Sequence, residues 1–180
     1  MDNSTENVTL MAGFAHDLLS AYKEYESGLA KDLFTLGKEL PSDPTSLIPI
    51  QKYNEMCDWI EKKLGAANLK RAGRTIGERV YSIIKQYGMI DDSATPNKCL
   101  EALKIVADQA IQDPKKRGWE ILVNEDKRVV MRRTQTFNSI LQEGLLAGLV
   151  EKAGGGLSKV VLLKSIANKD EFDEYEVTWK

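Results

Sequence analysis

The amino-acid sequence predicts an α+β fold, with N-terminal helices packed on a four-stranded antiparallel sheet whose elements run ββαββ along the chain. Three observations predict it. Apolar residues recur at helical three-and-four spacing as far as residue 113, alternation with period two begins at Trp119, and an apolar helical stretch followed by two more β-rich runs completes the sequence. Helices first and paired strands later indicate segregated layers rather than alternating β-α units.

Met11, Phe14, Ala15, Leu18, Leu19, Tyr22, Leu29, Leu33, Phe34 and Leu36 are spaced for one long amphipathic helix over residues 11–40, unbroken or broken once, with Gly28 and Gly37 as its weak points. Pro41, Pro44 and Pro49, with Ser42, Asp43, Thr45 and Ser46 between them, then impose a loop, because each proline ring removes a backbone donor. Pro49 suits the first turn of a second helix carrying Tyr53, Met56, Cys57, Ile60 and Leu64 on one face and ended by Gly65. The clearest stripe, Leu69, Ala72, Ile76, Val80, Ile83, Ile84 and Tyr87, marks a third helix that Gly88 stops. Inside it Gly73 and Gly77 each cost ~1 kcal/mol of helix propensity, which points to a closely approaching neighbour. Thr95 and Pro96 form an N-cap and first-turn pair for a fourth helix, whose buried face is Leu100, Leu103, Val106, Ala107, Ala110 and Ile111 and which Pro114 closes.

At Trp119 the period changes. Trp119, Ile121 and Val123 alternate with Glu120 and Leu122, residues 124–126 form a turn, and residues 128–133 are β-rich, so a hairpin is expected. Residues 139–153 return to helical spacing through Ile140, Leu141, Leu145, Leu149 and Val150, and Gly144 and Gly148 let that backbone approach the sheet or another helix. After Gly154, Gly155 and Gly156 come two more strands, residues 160–163 and 175–179, joined by the charged stretch 168–173. One domain is expected over residues 1–180, divided into a helical part (1–67) and a helix plus ββαββ part (68–180).

Composition narrows the function. With 42% hydrophobic and 29% charged residues, the 180-residue chain has the make-up of a soluble globule rather than a disordered, fibrous or membrane protein. The 25 Lys and Arg against 27 Asp and Glu leave a net charge of −2, which disfavours nucleic acid and anionic lipid as partners. Residues 1–9 lack the basic residues and apolar run of a secretory signal, and no stretch approaches the ~18 apolar residues of a membrane span, so a cytoplasmic protein is expected. Two cysteines and a single histidine argue against a disulfide framework and a Cys/His zinc site.

Catalytic chemistry has little to stand on. His16 points away from the apolar stripe of its helix, Cys57 and Cys99 lie on apolar faces, and no glycine-rich phosphate loop or zinc-protease pattern occurs. Lys70, Arg71, Arg74 and Arg79 read as a solvated face, with Glu78 placed to pair with Arg74, and Lys115, Lys116 and Arg117 follow the negative end of the fourth helix. Arg128, Arg132 and Arg133 are different. Because strands alternate, at least one of the adjacent pair Arg132 and Arg133 must face the covered side of the sheet or its rim, where it can anchor an acidic ligand. Trp119, Tyr175 and Trp179 share strand parity with Ile121 and Val177, either as core or as the wall of an apolar pocket.

The run from Asn68 through Leu, Lys, Arg, Ala, Gly, Arg, Thr, Ile, Gly, Glu and Arg to Val80, then Arg117-Gly-Trp-Glu-Ile-Leu, then Leu141-Gln-Glu-Gly-Leu-Leu-Ala-Gly-Leu-Val, and the ending Tyr175-Glu-Val-Thr-Trp resemble bacterial sensory proteins of the 4-vinyl-reductase and haem-nitric-oxide-binding type, which share a fold with the TRAPP vesicle-transport subunits. The resemblance implies helices on a four-stranded antiparallel sheet with a ligand cavity between them, usually in a dimer that regulates a signalling or transcription partner. Where haem members carry an axial histidine on the helix before the first hairpin, residues 95–113 have none, and the Tyr-x-Ser-x-Arg propionate motif is missing after Arg132. Residues 166–174 also lack the cysteines of zinc-binding members. Neither metal nor haem is therefore expected as a cofactor.

The expectation is a non-enzymatic sensor-like module that binds a small apolar or acidic organic ligand between Leu100, Leu103, Val106 and Ala110 of the fourth helix and Trp119, Ile121, Met131, Arg133, Val177 and Trp179 of the sheet. It would act as a homodimer or through a signalling partner. The alternative is a dimerising scaffold that uses the long N-terminal helix and takes no ligand.

Overall fold

In the computed structural model, which describes residues 4–135 and 137–180, two antiparallel sheets and six α-helices are built from the described residues. Of the polar start, the first three residues lie outside that description. The order is β1 (Thr9–Met11), α1 (Ala12–Ser20), α2 (Lys31–Leu36), β2 (Leu47–Pro49), α3 (Ile50–Leu64), α4 (Ala66–Gln86), α5 (Pro96–Ala110) and β3 (Ile111–Gln112). It continues with β4 (Trp119–Glu125), β5 (Arg128–Arg133), α6 (Ser139–Val150), β6 (Ser158–Lys164) and β7 (Asp173–Trp179). The ββαββ half is therefore present, and none of the described helices is long and apolar enough to cross a membrane.

Of the two forms expected over residues 11–40, the unbroken helix does not occur, and the break is wider than a single interruption, with α2 starting just after Gly28 and ending before Gly37. Only α1 and α2 are α-helical there, separated by turns. Residues 23–28 read Lys-Glu-Tyr-Glu-Ser-Gly and offer no apolar stripe to bury, while Tyr22 turns inward and donates its hydroxyl to the Asn68 carbonyl at 3.0 Å. The continuous face on which the scaffold alternative rested is thus missing. A small sheet in the order β2-β1-β3 instead ties the chain start to the end of α5, pairing Leu10 with both Ile48 and Ile111.

The paired glycines find each other. α4 and α6 cross backbone to backbone, so a Cβ added at Gly77 would lie 2.1 Å from the Leu145 carbonyl oxygen, and one at Gly148 would lie 2.1 Å from that of Arg74. Across this seam Lys70 pairs with Glu143 at 2.8 Å and Arg74 with Glu151 at 2.9 Å, so Arg74 reaches the neighbouring helix rather than Glu78 on its own. α6 packs against α4 on one side and against β6 and β7 on another, which explains why it is apolar nearly all round. Asn138 caps it, its side-chain oxygen accepting from the N–H groups of Ile140 and Leu141 at 3.0 and 3.2 Å. Asn138→Ala should lower stability by about 1 kcal/mol in urea unfolding, and an unchanged midpoint would count against the cap.

The larger sheet runs β4-β5-β7-β6, every pair antiparallel. Its register aligns Trp119, Arg133 and Asp173 across β4, β5 and β7, and Met131, Tyr175 and Leu162 across β5, β7 and β6, all on the face toward the helices. The next position along falls on the other face, where Arg132 donates to Glu174 at 2.8 and 3.0 Å. The β4–β5 turn sits at Asp126 and Lys127, the latter with φ 56°, slightly later than the spacing suggested.

Candidate functional site

Thr95 and Pro96 set the start, and therefore the rotation, of α5: the Thr95 side chain accepts from the Lys98 N–H and Pro96 fills the first turn. That phase turns Leu103, Val106 and Ala107 toward the sheet, where they meet Trp119 and Arg133. With Leu10 and Phe14 from the chain start, Tyr53 from α3, Val80 from α4, and Phe137, Gln142 and Leu145 at and in α6, they enclose a cavity of about 40 Å³. Ile111 closes it below α5.

Of the residues expected to form the pocket, Leu103, Val106, Trp119 and Arg133 line this cavity. Leu100, Ala110, Met131 and Val177 are buried elsewhere in the core, and Ile121 and Trp179 are half-buried against it. The cavity therefore lies at the Trp119 end of the sheet rather than along its whole inner face. Leu10, Phe14, Tyr53, Val80, Ala107, Ile111, Phe137, Gln142 and Leu145 were missed, because which elements close over the Trp119 end of the sheet is a tertiary fact without a local signal.

Arg133 dominates the electrostatics. It is 2% exposed, and its guanidinium carbon lies 4.8 Å from the Trp119 ring centroid and 4.4 Å from that of Phe137. Nη2 donates to Gln135 Oε1 at 2.7 Å, whereas Nε has no acceptor among the described residues. Burial pushes its pKa down to about 10, opposed by Tyr175 and the carboxylates of Asp108, Asp113 and Asp173, so it stays cationic at neutral pH. Asp173 sits opposite it in the register but accepts from the Ile166 N–H at 2.9 Å, and burial raises its carboxyl above the usual range. Tyr175, tilted against Trp119 at 5.7 Å, is likewise pushed well up by burial.

Gln135 carries the contact outward, donating to Asp113 Oδ2 at 3.4 Å, and Asp113 also receives Arg117 Nε at 2.7 Å. Burial acts to raise the Asp113 carboxyl, but Arg117 and the Lys115 N–H outweigh it and hold it below the ordinary range. A group depressed in the folded state contributes stability above its unfolded pKa of about 3.9 and loses that contribution as pH falls through the folded value. Asp113→Asn should cost about 2 kcal/mol at pH 7. Its stability should also fall less steeply than the wild type's below about pH 4, read by urea unfolding across the acid range; parallel curves would refute the assignment.

The cysteines belong to the core. Both are buried; burial raises the Cys99 thiol to about 11 and Cys57 further still. Neither should react with iodoacetamide in the native protein, and both should react after denaturation.

The residues do not fit the haem that the family resemblance brings to mind. A cofactor of that size needs a pocket of at least about 300 Å³, and the space beneath α5 is about 40 Å³. α5 offers Cys99 but no histidine, with a thiol held protonated, and His16 is half-buried on α1, outside the cavity lining. Among the described residues there is also no group of three or more His, Cys, Asp or Glu side chains that could hold a metal ion.

No protein-family model and no curated protein matches the chain. Solved structures do. An H-NOX protein from S. oneidensis in the Fe(II)NO ligation state is 10% identical, covers 93% of this chain and 98% of its own, and aligns with a TM-score of 0.65. A Cs H-NOX mutant carrying an unnatural amino acid is also 10% identical, over 95% and 97% of the two chains, with a TM-score of 0.65. A mutant of T. tengcongensis H-NOX gives 11% identity over 93% and 95%, with a TM-score of 0.60. TM-scores of 0.60 to 0.65 over nearly the whole of each chain show that the fold of this chain is H-NOX-like.

Proposed function

We propose that the chain is a non-enzymatic, sensor-like module that takes a small apolar or acidic organic ligand between its helices and its sheet. The cavity under α5 carries this reading. Ligand pockets are mostly apolar with a few placed polar groups, and this one sets Leu103, Val106, Ala107 and Leu145 around a single buried cation, Arg133. The H-NOX neighbours support it as a class, one of them being described in an Fe(II)NO ligation state.

In its present form the cavity holds on the order of three water-sized groups. A larger ligand is accommodated only in a state where a wall has moved, so binding shifts the population toward that state. Phe14, half-buried on α1, is one of the walls that could move. A route to the surface runs from Arg133 through Gln135 and Asp113 to Arg117, whose Nη2 donates to the Ser4 carbonyl at 2.8 Å. A second copy or a signalling protein reading that corner would sense occupancy.

A thermal-shift series with indole, toluene, benzoate and hexanoate tests the reading. At least one should raise Tm in a saturable way, a ligand at a hundred times its Kd giving about 2.7 kcal/mol. Val106→Phe, which fills the cavity, should abolish the response. Absence of any shift in the wild type, or an undiminished shift in Val106→Phe, would overturn it.

A further inference from the structure

The guanidinium of Arg133 is left without the partner that its burial calls for. On the outer face of the same strand Arg132 holds Glu174 and Arg128 holds Glu176 at 2.7 Å, whereas Arg133, the most buried of the three, forms no ion pair among the described residues. A buried cation is strongly disfavoured unless paired and hydrogen-bonded. Among the described residues its Nε has no acceptor and Nη2 spends one hydrogen on Gln135, while the rings of Trp119 and Phe137 cover the guanidinium. What remains is its in-plane N–H edge, a donor fork matched to a planar two-oxygen anion.

The cavity sets the size of that anion. Room for a few water-sized groups admits a carboxylate with a short tail, and Leu103, Val106 and Ala107 offer that tail an apolar wall. An open groove lies next door, lined in part by Asp108, Asp113, Lys116 and Arg117, and Ile111 belongs to both spaces, so this side chain stands between cavity and surface.

We infer that the cavity is a receptor for a short-chain monocarboxylate, its two oxygens on the Arg133 fork and its alkyl end against Leu103, Val106 and Ala107. This rests on the cavity being a ligand site, as proposed above, and adds the chemical class. The ligand supplies the direct carboxylate contact that Asp108, Asp113 and Asp173, which act on Arg133 only from a distance, do not make, and this also separates the site from one for neutral molecules.

The experiment titrates formate, acetate and butyrate into the whole protein at pH 7, against sodium chloride at equal ionic strength, following tryptophan fluorescence and Tm. Acetate should give a saturable fluorescence change and a rise in Tm that chloride does not reproduce. Arg133→Met, neutral and of similar length, should weaken binding at least tenfold. Val106→Phe keeps the arginine but removes the space, and should abolish binding even if the first variant fails to fold. No saturable response to any of the three carboxylates up to about 10 mM, well above a millimolar Kd, would overturn the inference, as would equal responses in wild type and Val106→Phe. A shift with indole or toluene but with none of the carboxylates would overturn the carboxylate assignment while leaving the cavity a ligand site.

Discussion

Alanine at Gly148 should lower the unfolding free energy by about 3 kcal/mol or more, despite being the better helix former. The added methyl would sit 2.1 Å from the Arg74 carbonyl oxygen and 2.8 Å from its Cα and carbonyl carbon. All three are backbone atoms, so no rotamer change relieves the clash; α4 and α6 must separate. Separation loosens α6 against β6 and β7 and lengthens the Lys70–Glu143 and Arg74–Glu151 pairs. Gly77→Ala meets the Leu145 carbonyl oxygen at the same 2.1 Å and should behave alike. The two act on one seam, so the double variant should cost less than the sum of the singles. Chemical denaturation of the three variants decides this, and a loss below about 1 kcal/mol for either single change would show that the seam yields easily.

Trp119→Ala should cost about 3–5 kcal/mol, the range for removing a large aromatic side chain from a packed interior. Trp119 is 2% exposed, tilts against Tyr175 and covers the Arg133 guanidinium. Truncation joins a new void to the existing cavity and strips one aromatic face from a buried cation. An apolar void of that kind stays open to a fitting guest, so indole should restore part of the lost Tm in the variant. Differential scanning calorimetry with and without indole checks both halves: a small loss, or no rescue, would mean that the neighbouring chain collapses into the gap.

Much of the chain from the second predicted helix onward was readable because its signals are local. Alternation from Trp119 to Val123, glycine stops at residues 65 and 88, and the Thr95-Pro96 start each report a short-range preference that tertiary packing did not override. The glycine pairs in α4 and α6 were readable as close approaches but not as one another's partners, since spacing says nothing about which helix lies opposite. At Arg132 and Arg133, strand parity required one inward cation, and the register supplied which. The amino-terminal third was misread for a physical reason: the three-and-four apolar spacing of residues 11–36 spans a polar stretch that cannot pay for burial, so the chain turns at Tyr22 instead. β1, β2 and β3 are two or three residues long, too short for any period to show. Of the expected site, the share contributed by α5 and the Trp119 end of the sheet forms the cavity wall, and the rest of that wall arrives from helices whose placement only the fold decides.

The small β2-β1-β3 sheet bears on how the molecule is made. Leu10 bonds to a strand that begins at Ile111, closing a loop on the order of a hundred residues. During synthesis β1 has no second neighbour until α5 has left the ribosome, so one edge of β1 must wait for a strand of two residues to arrive. Completion of this clasp is then a late and slow event, and a nascent chain halted before residue 111 should be the species most readily captured by a chaperone.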